Sequence, residues 1–198
     1  MKKSKAILMV VCAMLLVAAS VMGTLAYLTS TASVENTFSV GKVAITMDEA
    51  KVDEYGVVDA TTTGRVKTNE YKLVPGHKYI KDPTIHVQAK SEKCWVFAKI
   101  ENGLSTDATL TMNTDFIQLK VNGVDVPGVY YYKDIVPYSE SVTDLVVFRD
   151  FTFGQTANPA SYTTAKIIVT GYAIQADGFS TAEAAWTASG FGTPAVAG

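Results

Sequence analysis

Cysteine and histidine are scarce: the 198 residues hold two of each. With Cys12 and Cys94 alone there is no disulfide framework and no cysteine-based zinc motif. His77 and His86 do not form the His-Glu-x-x-His pattern that sets two zinc ligands on one helical face. A metal site would have to be assembled on strands from His77, His86 and Asp82. Turn and surface histidines are commoner than that, so no metal and no cofactor is expected. No Gly-x-Ser-x-Gly elbow and no phosphate-cradling glycine loop occurs, and no catalytic residue is assigned. Basic stretches are missing too. Seventeen Lys and Arg against nineteen Asp and Glu give a net charge of −2, which argues against nucleic acid as a partner. Internal repeats, heptads and low-complexity tracts are also absent.

The N-terminus has the three parts of an export signal. Lys2, Lys3 and Lys5 carry the positive charge. Ala6 to Ala19 is apolar and uncharged, and small residues follow at Gly23, Thr24 and Ala26. The run Ala6 to Met22 is at the short limit for a membrane span, and no cluster of Lys or Arg halts it. Cleavage is therefore expected rather than a retained anchor, with residues 1–26 the signal and 27–198 one secreted domain. Removing the signal takes three lysines and no acid, so the remainder is more acidic. Cys94 stays behind as a single thiol beside Trp95, read as a small buried apolar residue.

Period-two alternation dominates the rest. Val43, Ile45 and Met47 alternate with polar neighbours. Ile117, Leu119 and Val121 do the same, followed by Asn122-Gly123 and then Val124 to Val126. Asn-Gly tolerates the left-handed backbone of a two-residue hairpin turn. Further strands are expected over Tyr79 to Gln88, Cys94 to Glu101, Val129 to Tyr132, Leu145 to Phe153 and Lys166 to Ile174. They are rich in Val, Ile, Thr, Tyr and Phe. Pro75-Gly76, Asn102-Gly103, Pro127-Gly128 and Asn158-Pro159 read as breaks. About eight strands with such punctuation predict an all-β, antiparallel two-sheet sandwich.

Glu49 to Thr68 reads as a long surface loop or an irregular hairpin. Its acids Asp48, Glu49, Asp53 and Glu54 lack the ligand spacing of a calcium loop. One short helix is expected near the end. Ser180 and Glu183 have capping-box spacing, Gly190 stops the helix, and Trp186 docks it on the sandwich. Phe191 to Gly198 reads as a frayed tail. Tyr130-Tyr131-Tyr132 alternates faces, so at least one ring belongs to the core.

The junction after the apolar run carries the positive signal. Gly23-Thr24-Leu25-Ala26-Tyr27-Leu28-Thr29-Ser30 leads to Asn36-Thr37-Phe38-Ser39-Val40-Gly41, then a strand ending in Asp48-Glu49. This resembles the export signal and mature start of the TasA/camelysin family, matrix fibre proteins of Gram-positive bacteria. Leu73-Val74-Pro75-Gly76 with Lys81-Asp82-Pro83-Thr84, and Tyr172 to Phe179 leading into the helix, resemble the wider group carrying this signal. The resemblance implies a jelly-roll-like sandwich and cleavage between Ala26 and Tyr27 by a signal peptidase of the SipW type. It implies a secreted subunit of biofilm matrix fibres at the surface or in the matrix of a Gram-positive bacterium. The partner it implies is the chain itself, head to tail, with other matrix or cell-wall components as further candidates.

In similar fibre formers the freed N-terminal segment adds a strand to the next subunit. Here Tyr27 to Phe38 is the candidate donor strand, with Tyr27, Leu28, Thr29, Thr31, Val34 and Phe38 its β-branched and apolar residues. An ordinary first strand folded onto its own domain is the alternative for this segment. For the whole protein, the alternatives are a surface metallo-endopeptidase, as camelysin relatives are described, and a monomeric adhesion module.

Overall fold

The computed structural model describes residues 11–16, 42–58 and 64–191. The chain divides into two units, Met1–Ser39 and Val40–Gly198. Of the first, only residues 11–16 are described, as exposed helix. Among the described residues no helix is long and apolar enough to cross a membrane.

The second unit is an all-β, jelly-roll-like antiparallel sandwich with one short helix. Its strands are β1 (Ile45–Ala50), β2 (Arg65–Val66), β3 (Lys78–Ile80), β4 (Thr84–Val87), β5 (Cys94–Asn102) and β6 (Ala108–Met112). After them come β7 (Phe116–Val121), β8 (Val124–Tyr132), β9 (Thr143–Val146), β10 (Phe148–Phe153) and β11 (Ile167–Gln175). One layer has the order β11-β5-β8-β7; the other is made of β2-β1-β4-β9 and β3-β10-β6.

Eleven strands reduce to the expected eight or so for a physical reason. Tyr79 to Gln88 and Leu145 to Phe153 are each interrupted once, yet they stay paired in a single register. Tyr79 opposes Phe151, Ile85 opposes Leu145 and Val87 opposes Thr143. Across the gap Lys81 N donates to Arg149 O at 3.3 Å, and Val147 N to Pro83 O at 2.9 Å. Pro83 has no N–H to offer, so the ladder lapses there and the paired strands kink together. The two halves then pair with different neighbours, β1 on β4 and β6 on β10.

The hairpin at Asn122-Gly123 forms as its sequence requires. Val121 pairs with Val124, and both turn residues have positive φ, 52° and 79°. Pro127-Gly128, read as a break, instead lies inside β8. The pairing of β7 with β8 shifts register between Gln118 and Lys120, a bulge that absorbs the irregular dipeptide. Gly128 has φ 70°, and a Cβ there would sit 2.4 Å from Ile100 O, so only glycine fits.

β5 feeds two hydrophobic clusters at once. Cys94, Val96, Ala98 and Ile100 face the space between the layers, with Ile85, Phe116, Leu145 and Phe148. Trp95 and Phe97 face outward under the helix, with Leu119, Ala185 and Trp186. The Cys94 thiol is fully buried, and burial pushes its pKa up to about 11. A third cluster gathers Tyr79, Leu104, Phe151 and Phe153 at one end.

The helix spans Ala182–Ser189 and ends at Gly190, whose φ of 70° closes it. The expected capping box is displaced by one residue. Thr181, not Ser180, caps the helix, its Oγ1 accepting from Ala184 N at 3.1 Å. Glu183 is thereby released and accepts from Asn122 N at 2.7 Å, bracing the hairpin turn. Phe191, expected in a frayed tail, packs against Tyr172 and Trp186. The predicted surface loop Glu49 to Thr68 is partly structured. β1 runs into it, β2 folds back onto Glu49 and Ala50, and Glu49 is buried.

Replacing Trp186 with alanine removes the anchor of the helix and leaves a void over Phe97. Urea unfolding of W186A should show a loss of about 3 kcal/mol.

Candidate functional site

Two strand edges lie close together on one side of the sandwich. β11 is paired with β5 along its whole length, Ile167 opposite Asn102 through Gln175 opposite Cys94. It has no second neighbour among the described residues. β1 is paired with β4 over Ile45–Asp48, while β2 covers its other side only at Glu49 and Ala50.

The direction of the free groups on β11 follows from its ends. Gly103 N donates to Lys166 O at 2.9 Å, and Ala176 N to Lys93 O at 2.8 Å. In an antiparallel ladder the backbone alternates, so the even-numbered residues of β11 bond to β5. The N–H and C=O groups of Ile167, Val169, Gly171, Ala173 and Gln175 therefore point away from the sheet. Side chains alternate as well. Ile167, Val169 and Ala173 pack on the inner cluster, Tyr172 and Ile174 on the outer one.

Between the C-terminal half of β1 and the start of β11 lies a cleft of about 990 Å³. Met47, Leu73, Leu104, Phe151, Tyr162 and Val169 give it apolar walls. Farther along β11 the inner face is crowded: a Cβ on Gly171 would lie 3.2 Å from Ile85 Cδ1 and 3.6 Å from Ile45 Cδ1.

The cleft also has a fixed polar group. Glu49 and Lys81 form an ion pair at 2.5 Å, with side-chain exposures of only 5% and 11%. Asn69 Nδ2 donates to Glu49 Oε1 and to Ala50 O, both at 2.9 Å. Lys81 Nζ stands 5.9 Å from the centre of the Tyr71 ring. Burial pushes the Tyr71 phenol well above its ordinary range, with the charge of Glu49 adding to the effect.

The outer face of β1, β4 and β9 carries a second network. His86 Nε2 meets Asp48 Oδ1 at 2.8 Å, and Nδ1 meets Asp144 Oδ1 at 2.7 Å. With both ring nitrogens on carboxylates, the geometry suits the doubly protonated imidazolium. Arg65 on β2 donates to Asp48, to Asp82 Oδ2 at 3.1 Å and to Thr84 Oγ1 at 2.7 Å. Burial alone would lower the His86 pKa, but hydrogen bonds and charge from Asp48 and Asp144 outweigh it and the net shift is upward. Burial would raise Asp48, but Arg65 and His86 outweigh it and hold it down.

The three metal candidates are not brought together. His77 Nε2 bonds to Tyr55 O at 2.9 Å and its ring stands edge-on to Tyr79. Asp82 binds Arg65 and accepts from Ala50 N. Among the described residues no group of three or more His, Cys, Asp or Glu side chains is arranged to hold a metal ion. The loop acids are also engaged. Asp53 Oδ1 accepts from Tyr55 N and Val57 N, and Glu54 lies 4.0 Å from Lys72. Tyr131 turns toward Trp95, while Tyr130 and Tyr132 pack on the inner cluster. The cleavage pair Ala26 and Tyr27, and the donor residues Tyr27, Leu28, Thr29, Thr31, Val34 and Phe38, lie outside the described residues.

Among the described residues, the fold and site define a β-sandwich with an edge strand paired on one side only, beside a cleft with both apolar and polar walls. No protein-family model, curated protein or solved structure matches the chain.

Two measurements test these networks. Lys81→Met leaves Glu49 buried without its cation and should cost about 3 kcal/mol in urea unfolding. Adding Glu49→Leu should recover most of that loss. For His86, a raised folded pKa means that its contribution is complete below about pH 6.5 and fades as pH rises through the folded value. The Asp48 contribution is lost at the acid end, as pH falls through its lowered value. The destabilisation caused by His86→Gln should therefore be about 1 kcal/mol at pH 5.5 and clearly smaller at pH 9.

Proposed function

We propose that the protein is a secreted structural subunit of extracellular matrix fibres, exported by its N-terminal signal and polymerised by strand addition. The observation that supports this reading best is the edge of β11. A nine-residue strand whose five odd-numbered residues point N–H and C=O groups outward is a template for another extended segment. The cleft beside it, with Met47, Leu104, Phe151 and Val169 among its walls, offers room for alternate side chains of that segment, which is how strand addition gains specificity.

On this reading the donor is Tyr27 to Phe38, freed by cleavage after Ala26. It has no proline and a single charge, and it is rich in β-branched residues. A donor at one end of the subunit and an acceptor edge elsewhere make a head-to-tail contact. Such contacts do not close on themselves, so they give filaments rather than dimers. The partner is another copy of the chain, and the location is outside the cell. The resemblance of Gly23 to Gly41 to the TasA/camelysin signal supports the same reading independently of the cleft.

The secreted chain beginning at Tyr27 should form filaments visible by electron microscopy as concentration rises. A chain lacking Tyr27 to Ser33 should keep the circular dichroism and urea midpoint of the sandwich. It should sediment as a monomer at every concentration where the longer chain polymerises. Filaments from the shortened chain would rule out strand addition by this segment.

A further inference from the structure

We propose that the incoming segment lies antiparallel to β11 in one register, pinned by an ion pair between its Glu35 and Lys166 of the accepting copy. This rests on the strand-addition reading above and names the orientation and the residue pair that fix it.

The donor carries one charge, Glu35, among twelve residues. In an extended segment Glu35 shares a face with Tyr27, Thr29, Thr31, Ser33 and Thr37. The opposite face holds Leu28, Ser30, Ala32, Val34, Asn36 and Phe38, and includes the aliphatic residues that suit the cleft. Glu35 must then lie on the solvent side, beside the even-numbered side chains of β11. Lys166 is of that parity, is exposed, and stands at the start of β11 on the rim of the cleft. Its side chain has no carboxylate partner among the described residues, whereas Lys93, Lys99 and Lys120 each have one. Residue 166 bonds its backbone toward β5, so against a new neighbour it occupies a non-hydrogen-bonded position. There side chains of opposing strands approach most closely.

Setting Glu35 opposite Lys166 fixes every other pair. Val34 falls opposite Ile167, Ala32 opposite Val169, Ser30 opposite Gly171 and Leu28 opposite Ala173. The small Ser30 falls opposite Gly171, whose inner face Ile45 and Ile85 crowd. Phe38 extends past the start of β11, toward the part of the cleft walled by Leu104, Phe151 and Tyr162. In a parallel arrangement with the same charge pair, only Asn36 to Phe38 of the donor would lie along β11.

The same register selects a second copy over the chain's own segment. Lys42 O accepts from Glu92 N, and the next residue, Lys93, bonds Ala176 at the far end of β11 from Lys166. Phe38 is four residue steps from Lys42, a reach of about 14 Å at most. From Ile167 to Gln175 the strand is about 27 Å long. A chain's own Phe38 cannot reach the Lys166 end, so its own segment could follow β11 only in the parallel sense, with Glu35 far from Lys166.

Charge reversal tests this in the secreted chain. Glu35→Lys and Lys166→Glu each set like charges opposite one another, and each should raise the critical concentration for filaments about fivefold. The double variant should return to within twofold of the parent. A one-to-one mixture of the two single variants should also polymerise like the parent. When the two kinds of subunit alternate, every contact sets a lysine against a glutamate, whichever of the two supplies the donor strand. Rescue on mixing requires that the pair form between copies. Unchanged circular dichroism in all variants would exclude misfolding. Single variants that polymerise like the parent, or that fail without rescue by the double variant or the mixture, overturn the pinned register. Strand addition itself falls only if the chain lacking Tyr27 to Ser33 still forms filaments.

Discussion

Burial of β5 on both faces is the constraint on which the sandwich depends. One strand supplies Cys94, Val96, Ala98 and Ile100 to the inter-layer core and Trp95 and Phe97 to the core beneath the helix. A strand buried on both sides must be central, so β11 and β8 flank it. The edge position of β11 is a consequence. It takes one neighbour from the strand that anchors everything else and has none beyond it among the described residues. The Gly128 bulge belongs to the same constraint, because β8 can run alongside β5 there only without a side chain at that point.

The kinked pair formed by residues 78–87 and 143–152 is the counterpart in the other layer. Its register survives the lapse at Pro83, so the layer turns a corner without losing alignment. The turn lets β1 end short of β6 and places the third cluster, with Tyr79 and Phe151 stacked, at the base of the cleft. Walls of the cleft come from β1, from the start of β11, from Phe151 of the kinked pair and from the segments around residues 67–73 and 162–166. The Glu49–Lys81 pair sits where β1 passes this corner. It ties the end of β1 to the segment between β3 and β4 beside the cleft.

Much of this was legible in the residues. Alternation at Val43 to Met47 and Ile117 to Val121 marked strands, and Asn122-Gly123 marked its turn, because both depend on local geometry. Three features did not announce themselves. β6 has a short, weak alternation, Thr109 and Thr111 outward with Leu110 and Met112 only half buried, so its pattern lies below what periodicity detects. The interior position of Pro127-Gly128 depends on Ile100, a residue distant in sequence. The His86 and Glu49 networks are also long-range: Asp144 is 58 residues from His86, and Lys81 is 32 from Glu49. Acids in a polar stretch read as solvated until the strands that carry their partners are placed. The outward position of Thr46, Asp48, Thr84 and His86 did follow from parity, but which of them would meet did not.

Cys94 carries a practical consequence. The residue has no solvent exposure, and burial holds its proton well beyond neutral pH. Beyond residue 26 it is the one thiol in the chain. Alkylating reagents, which attack the thiolate, therefore have nothing to react with while β5 stays between β11 and β8. Each modified molecule records one excursion in which the central strand came apart. The protein thus carries its own chemical clock, able to time the opening of a single subunit in solution or inside a larger assembly without an engineered probe.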